Sequence, residues 1–172
     1  GKLKIAQVAP LSESVPPKLY GGTERVVSVL TEELVKQGHS VTLFASGDSR
    51  TSATLVAPCE RAQRLMGCID PLAAHMLMLE QVVQRADEFD VIHFHVAPVH
   101  FPIARRMATP HLTTLHGRLD LPDLVPLYEE FNELPLVSIS DAQRTPLPRQ
   151  NWADTVSHGL REQDFRFHPE PG

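Results

Sequence analysis

Apolar residues fall along this chain in two rhythms, short continuous runs and longer stretches in which they recur every three or four positions. Leu3 to Ala9 is a run of the first kind and predicts a strand closed by Pro10. Pro16 and Pro17 make Leu11 to Leu19 an extended loop, because proline removes a backbone donor and blocks helix. From Thr23 the rhythm turns helical. Val26, Val27, Leu30 and Leu34 share one face, Glu32 and Lys36 sit one turn apart on the other, Thr23 is the expected N-cap and Gly38 the expected stop. His39 to Ala45 and Ala53 to Ala57 predict two short strands around the turn Ser46-Gly47-Asp48-Ser49. Pro71 to Phe89 predicts a long helix whose buried side holds Leu72, His75, Met76, Leu79, Val82, Val83 and Ala86. Strands follow over Val91–Val96, His111–Leu115, Leu136–Ile139 and near Thr155–Ser157, with helices from Pro102 to Met107 and within Leu121–Phe131.

This alternation predicts an α/β domain, a Rossmann-like three-layer sandwich with a mostly parallel sheet and right-handed crossovers. Ligands of such sheets collect at the carboxyl ends of the strands. Those ends are polar in this chain: Tyr20-Gly21-Gly22-Thr23-Glu24 after the first strand, then His95, then His116-Gly117-Arg118, then Ser138, Ser140, Asp141 and Arg144. All four segments are expected to converge on one edge.

Composition narrows the class. The 172 residues, 42% hydrophobic and 22% charged, suit one soluble globular domain that needs no metal or disulfide to fold. No apolar run approaches the ~20 residues of a membrane span, and the N-terminal residues lack a secretory-leader pattern. Cys59 and Cys68 have no metal-ligand spacing and read as reduced thiols, which fits a cytoplasmic protein, or one peripheral to the membrane in its parent protein. A net charge of −5 with scattered basic residues argues against nucleic acid as a partner and for a small substrate.

Candidate chemistry rests on a few positions. Gly21-Gly22 opens a helix, where free N–H groups and the helix dipole favour an anion, although a tight turn explains the pair equally well. It matches neither the dinucleotide fingerprint nor a P-loop. His93 and His95 alternate on a strand and point the same way, so they are either metal ligands or an interior His93 beside an edge His95. No carboxylate in Val96-Ala97-Pro98-Val99 supports a metal. His116 is placed to contact a sugar hydroxyl or polarise reacting groups, with Arg118 beside it for an anion; the plain alternative is a loop or capping histidine. Ser140 and Arg144 are candidate cleft residues or simple cap and surface residues.

Taken in order, several segments resemble glycosyltransferase family 4, the retaining family with the GT-B architecture of two facing Rossmann-like domains. They are Ile5-Ala6-Gln7-Val8-Ala9-Pro10, Tyr20-Gly21-Gly22-Thr23-Glu24-Arg25, Gly38 to Gly47, Asp90-Val91-Ile92-His93, Thr113-Thr114-Leu115-His116-Gly117, Ser138 to Arg144, and Val156-Ser157-His158-Gly159. The resemblance implies that Gly21, Gly22 and Thr23 lie against the diphosphate of a nucleoside-diphosphate sugar. It also implies that His116 contacts the transferred sugar near the reaction centre, and that Ser140 and Arg144 line the cleft. His95 and Arg118, from their positions after the strands, are expected to join them in binding the acceptor. One departure is Ala97, where relatives often carry a polar residue. A second is that the chain stops soon after His158-Gly159, whereas the family continues into a donor-binding domain.

The expectation is therefore an acceptor-side domain over residues 1–160 with the start of an interdomain linker over 161–172. It would be the N-terminal part of a retaining hexosyltransferase, largely inactive alone, with no cofactor beyond its sugar nucleotide. Its partners would be the C-terminal donor domain of the same parent protein, an acceptor of unknown identity, and a second copy if Leu160, Phe165 and Phe167 leave an apolar interdomain face open. Two alternatives stand beside it: a stand-alone binding domain for sugar phosphates or nucleotides, and a metal-dependent hydrolase using His93 and His95.

Overall fold

The computed structural model describes residues 1–144, 146 and 150–155. Strands β1 (Lys4–Val8), β2 (Ser40–Phe44), β3 (Thr54–Val56), β4 (Val91–Phe94), β5 (His111–Thr114), β6 (Pro135–Ser138) and β7 (Asn151–Thr155) form one sheet in the order β3-β2-β1-β4-β5-β6-β7. Every pairing is parallel. Strand order reverses between β1 and β4, which opens a crevice at their carboxyl ends. The last strand comes a few residues earlier than the sequence indicates, and Val156 to Gly159, Leu160, Phe165, Phe167 and the proposed linker lie outside the described residues.

Helix α1 (Gly22–Lys36) covers one face of the sheet. Val27, Leu30 and Leu34 are buried against Ile5, Val41, Leu43 and Val91, which is the stripe its periodicity predicts. Gly38 ends it at φ 96, a left-handed conformation that glycine adopts without steric cost. Its start differs from expectation. Gly21 occupies the N-cap position and no side chain caps the helix, so Thr23 lies inside the first turn. The Glu32 carboxylate accepts hydrogen bonds from the Thr51 hydroxyl (3.0 Å) and the Ser52 N–H (3.0 Å), which ties α1 to the loop before β3.

The opposite face is covered by α3 (Pro71–Arg85), which follows a short α2 (Gln63–Met66) that the sequence did not reveal. Asp70 caps α3 by accepting from the Leu72 N–H at 3.0 Å. Met78, Leu79, Val82 and the following Ala86 are buried against Ala6, Val8, Phe44, Ile92 and Phe94. Leu72, Met76 and Val83, expected on the buried side, are exposed instead. Apolar residues run nearly around this helix, so two registers compete in the sequence; the packed one is the row 78-79-82-86. Helices α4 (Phe101–Arg105) and α5 (Leu124–Glu130) continue the same layer, with Phe101, Leu115, Tyr128, Phe131 and Leu136 forming a second cluster. A last turn, α6 (Asp141–Arg144), follows β6. Among the described residues no helix is long and apolar enough to cross a membrane.

Candidate functional site

Strand pairing sets the site. Gln7 on β1 lies beside His93 on β4, and Ile92, His93 and Phe94 pair with His111, Leu112 and Thr113 on β5. Alternation therefore puts Gln7, His93, His95, Thr114 and His116 on the face that α1 covers. Toward the amino ends that face is apolar, with Ile5, Val91 and Leu112 under α1. Toward the carboxyl ends it becomes a chain of polar side chains.

The chain is closely connected. His95 Nε2 lies 2.8 Å from Gln7 Oε1 and its Nδ1 lies 3.1 Å from His116 Nε2. His93 Nε2 contacts the Thr114 hydroxyl at 2.7 Å, and its ring stacks on that of His95 with centroids 4.1 Å apart. Gln7, His93 and His95 are buried, while His116 is half-buried and reaches the surface. Burial pushes the His93 imidazole down to about 3, helped by the nearby His116, and holds His95 well below the ordinary range, with His93 and His116 adding to the effect. Both rings are neutral at physiological pH, so each carries one N–H and one lone pair. The Gln7 Nε2 amide is buried without a hydrogen-bond partner.

These positions refine two expectations. His95 is buried with both of its ring nitrogens engaged, and it is also one of the residues that line the cavity at the carboxyl edge. His93 is interior, and its partner is a side-chain hydroxyl rather than backbone. Three of the four ring nitrogens of the pair are thus engaged by side chains, and among the described residues no three His, Cys, Asp or Glu side chains are placed to share an ion.

His116 lines a cavity of about 130 Å³ at the carboxyl ends of β4 and β5, together with His95, Ala97, Pro98, Thr114, Arg118, Leu119 and Tyr128. The Arg118 guanidinium stands at its rim, exposed, and donates from Nε to Asp120 at 2.9 Å, so a carboxylate already neutralises it. Ser140 accepts from the Gln143 N–H at 3.1 Å and so caps α6. Arg144 donates from Nε to the Ser138 hydroxyl at 2.8 Å, and its guanidinium lies 5.2 Å from the centroid of the Trp152 ring. Ser140 and Arg144 therefore brace the end of β6 next to the cavity.

Gln143 is a residue that sequence reasoning missed. Its Nε2 donates to the carbonyls of Leu115 and Gly117, both at 2.9 Å, and its Oε1 accepts from the Ile139 N–H at 2.7 Å. One amide thus holds the backbone on both sides of His116. Gln7 was missed too, although a lone polar residue in Ile5-Ala6-Gln7-Val8 was the available signal.

The two glycines at the start of α1 have different reasons to be glycine. A Cβ on Gly21 would stand 2.8 Å from Pro17 Cβ and 2.9 Å from Glu24 Oε2. A Cβ on Gly22 would meet nothing within 4 Å, so the fold itself does not require glycine there. Beneath them Glu24 and Glu13 are both buried, and Arg64 Nε pairs with Glu13 Oε1 at 2.7 Å without hydrogen-bond alignment. Burial raises the Glu24 carboxyl above the usual range; backbone N–H groups at Glu24 and Glu13 oppose that shift, while the Glu13 charge adds to it.

An all-parallel Rossmann-like sandwich with a histidine-bearing cavity beside the crevice and an open glycine at a helix N-terminus has the form of one half of a GT-B glycosyltransferase. Residues 20–160 match the profile of Glycosyltransferase Family 4, and the chain belongs to that family. Among solved structures it resembles AviGT4, a glycosyltransferase involved in avilamycin A biosynthesis. That match has a TM-score of 0.55 and 24% identity over 90% of this chain and 41% of AviGT4. It also resembles sucrose-phosphate synthase from Thermosynechococcus elongatus, with a TM-score of 0.55 and 15% identity over 91% of this chain and 47% of that one. Both likenesses concern the fold, and the chain spans less than half of either protein. No curated protein sequence matches the chain.

Proposed function

We propose that this chain is the N-terminal, acceptor-side half of a retaining hexosyltransferase that moves a sugar from a nucleoside-diphosphate sugar to an acceptor hydroxyl. The reading rests on membership of glycosyltransferase family 4 together with one observation: His116, held by Gln143 and His95, faces a cavity at the carboxyl edge of the sheet. Transfer needs the departing diphosphate stabilised, the developing positive charge at the sugar tolerated, and the acceptor oxygen held in line. In this reading Gly21, Gly22 and Thr23 offer N–H groups to the diphosphate, and the open space at Gly22 lets it approach. His116 contacts the transferred sugar. Arg118, Ser140 and Arg144 bound the acceptor side, with Arg118 acting through its pair with Asp120 and the other two by holding the end of β6.

The remaining groups of the reaction, those that read the base and ribose and neutralise most of the diphosphate charge, belong in this reading to a partner donor domain, and closure of the two completes the site. The chain alone is then largely inactive. The test is transfer by the full-length protein from a panel of UDP-, GDP- and ADP-sugars to simple glycoside acceptors, with the anomeric configuration of the product read by NMR. Product with the donor's configuration supports the proposal, whereas inverted product or hydrolysis of sugar phosphates in place of transfer contradicts it.

A further inference from the structure

Tyr128 is one of the largest fully buried side chains of the domain, 2% exposed on α5, and its ring stands edge-on to that of Phe101 with centroids 5.4 Å apart. Gln150 Nε2 donates to its backbone carbonyl at 2.7 Å, which fixes the turn that carries it. Phenylalanine would satisfy all of that packing. The oxygen is what the core leaves unexplained: among the described residues the phenol has no hydrogen-bond partner, and burial alone shifts its acidity. Nor is the oxygen sealed in, as the Gln7 amide nitrogen is; its opening is the cavity that Tyr128 lines.

At about 130 Å³ this space is smaller than the roughly 300–1,000 Å³ that encloses a drug-sized ligand, so it takes one ring or the edge of one and not a nucleotide. Its walls are of two kinds. Pro98, Leu119 and Leu124 are apolar, while His116 and the rim guanidinium of Arg118 are polar. A purely apolar ring would leave the phenol unpaired, and a compact anion would lie against the apolar wall with the Arg118 charge already met by Asp120. A pyranose matches both walls, with a C–H face and hydroxyls around its edge.

We infer that Tyr128 is a further acceptor-binding residue, whose phenol hydrogen-bonds one hydroxyl of a sugar acceptor seated with its C–H face on Pro98, Leu119 and Leu124. The acceptor role rests on the function proposed above; the sugar site itself rests on the cavity. Burial pushes the phenol up to about 12, so it meets that hydroxyl as a neutral group able to donate or accept. Because the bond goes to the body of the acceptor and not to the reacting atoms, it holds ground state and transition state alike.

The test compares Tyr128→Phe, a change of one oxygen, with the wild type in the full-length protein. The melting temperature is expected to be unchanged or slightly raised, since the hydroxyl bonds nothing in the fold. A fall of several degrees would show an internal partner and overturn the inference. Binding of methyl glucoside, methyl mannoside and methyl galactoside is then read by saturation-transfer NMR, with no donor present. Affinity for whichever glycoside the wild type binds best is expected to fall about two- to tenfold in Tyr128→Phe. Ala97→Leu, which narrows the same cavity, is expected to weaken binding as well, and unchanged affinity there would place the glycoside elsewhere and overturn the inference. Equal affinity in Tyr128→Phe and wild type overturns it too, as does a wild type that binds none of the three. In transfer assays, Tyr128→Phe is expected to raise acceptor KM about two- to tenfold with kcat and donor KM little changed. A glycoside site that depends on Tyr128 in a protein that transfers no sugar would support the site and count against the proposed function instead.

Discussion

The adjacent glycines at the start of α1 allow structural and ligand-binding roles to be separated by single atoms. In Gly21→Ala the new methyl would stand 2.8 Å from Pro17 Cβ and 2.9 Å from Glu24 Oε2. Carbon atoms rest comfortably at about 3.5–4.0 Å, so the overlap with Pro17 is roughly 0.7 Å or more. Neither neighbour yields easily: Pro17 is a buried ring, and Glu24 is only 5% exposed. The Gly21 backbone is extended, at φ 173, so the whole cost is steric. Overpacking of this kind costs about 1–3 kcal/mol, and in a domain of this size each kcal/mol lowers the melting temperature by about 2–4 °C. Gly22→Ala meets nothing within 4 Å and lies in the first turn of α1, so it should be neutral or stabilise by up to about 1 kcal/mol through the unfolded chain. Thermal and urea unfolding followed by circular dichroism measure both. Gly22→Val should also fold, yet weaken nucleotide-sugar binding by the full-length protein, because its side chain fills the space a diphosphate would occupy. Equal destabilisation by Gly21→Ala and Gly22→Ala would refute the packing argument, and wild-type donor affinity in Gly22→Val would refute the phosphate role.

Other perturbations have signs that follow from the same contacts. His116→Ala in the full-length protein should lower kcat by about 10²–10⁴ with little change in donor KM, measured by steady-state kinetics. Glu24 has its folded pKa raised above the ordinary 4.5, so its favourable contribution is complete below that value and is lost as pH rises through the folded pKa. Urea midpoints should therefore fall with rising pH in the wild type relative to Glu24→Gln, and parallel curves would be the contrary result. His93 and His100 are buried and neutral, with values lowered to about 3, so the stability they confer is present above about 6.5 and is lost as pH falls toward 3. Each should steepen acid unfolding by up to about 1.4 kcal/mol per pH unit, and His100→Gln should flatten the profile measured from pH 7 to 4.

Much of the fold was legible because its strands and α1 obey one rhythm each. Val27, Leu30 and Leu34 fall on a single stripe, Gly38 takes the left-handed turn, and the runs at Ile5, Val41 and Val91 are short, apolar and evenly interleaved with helices. The face of α3 was less legible, because Leu72, Met76 and Val83 compete with Met78, Leu79 and Val82 for the same sheet and only the packed geometry chooses between them. At the site, the positions of Gly22 and His116 could be read from where they fall after strands. Connectivity could not. That His95 turns inward to Gln7, that Arg118 is occupied by Asp120, and that Gln143 grips the loop beside His116 all depend on side chains far apart in sequence, and pattern carries no signal for such contacts.

The division of labour between this chain and a donor domain is tested most directly by calorimetric titration of the 172-residue chain with UDP, GDP, ADP and their sugar conjugates. Gly22→Val is titrated in parallel. Binding that is absent or no tighter than millimolar is the predicted result; tight binding that Gly22→Val abolishes would contradict it and make the chain a nucleotide-binding module in its own right.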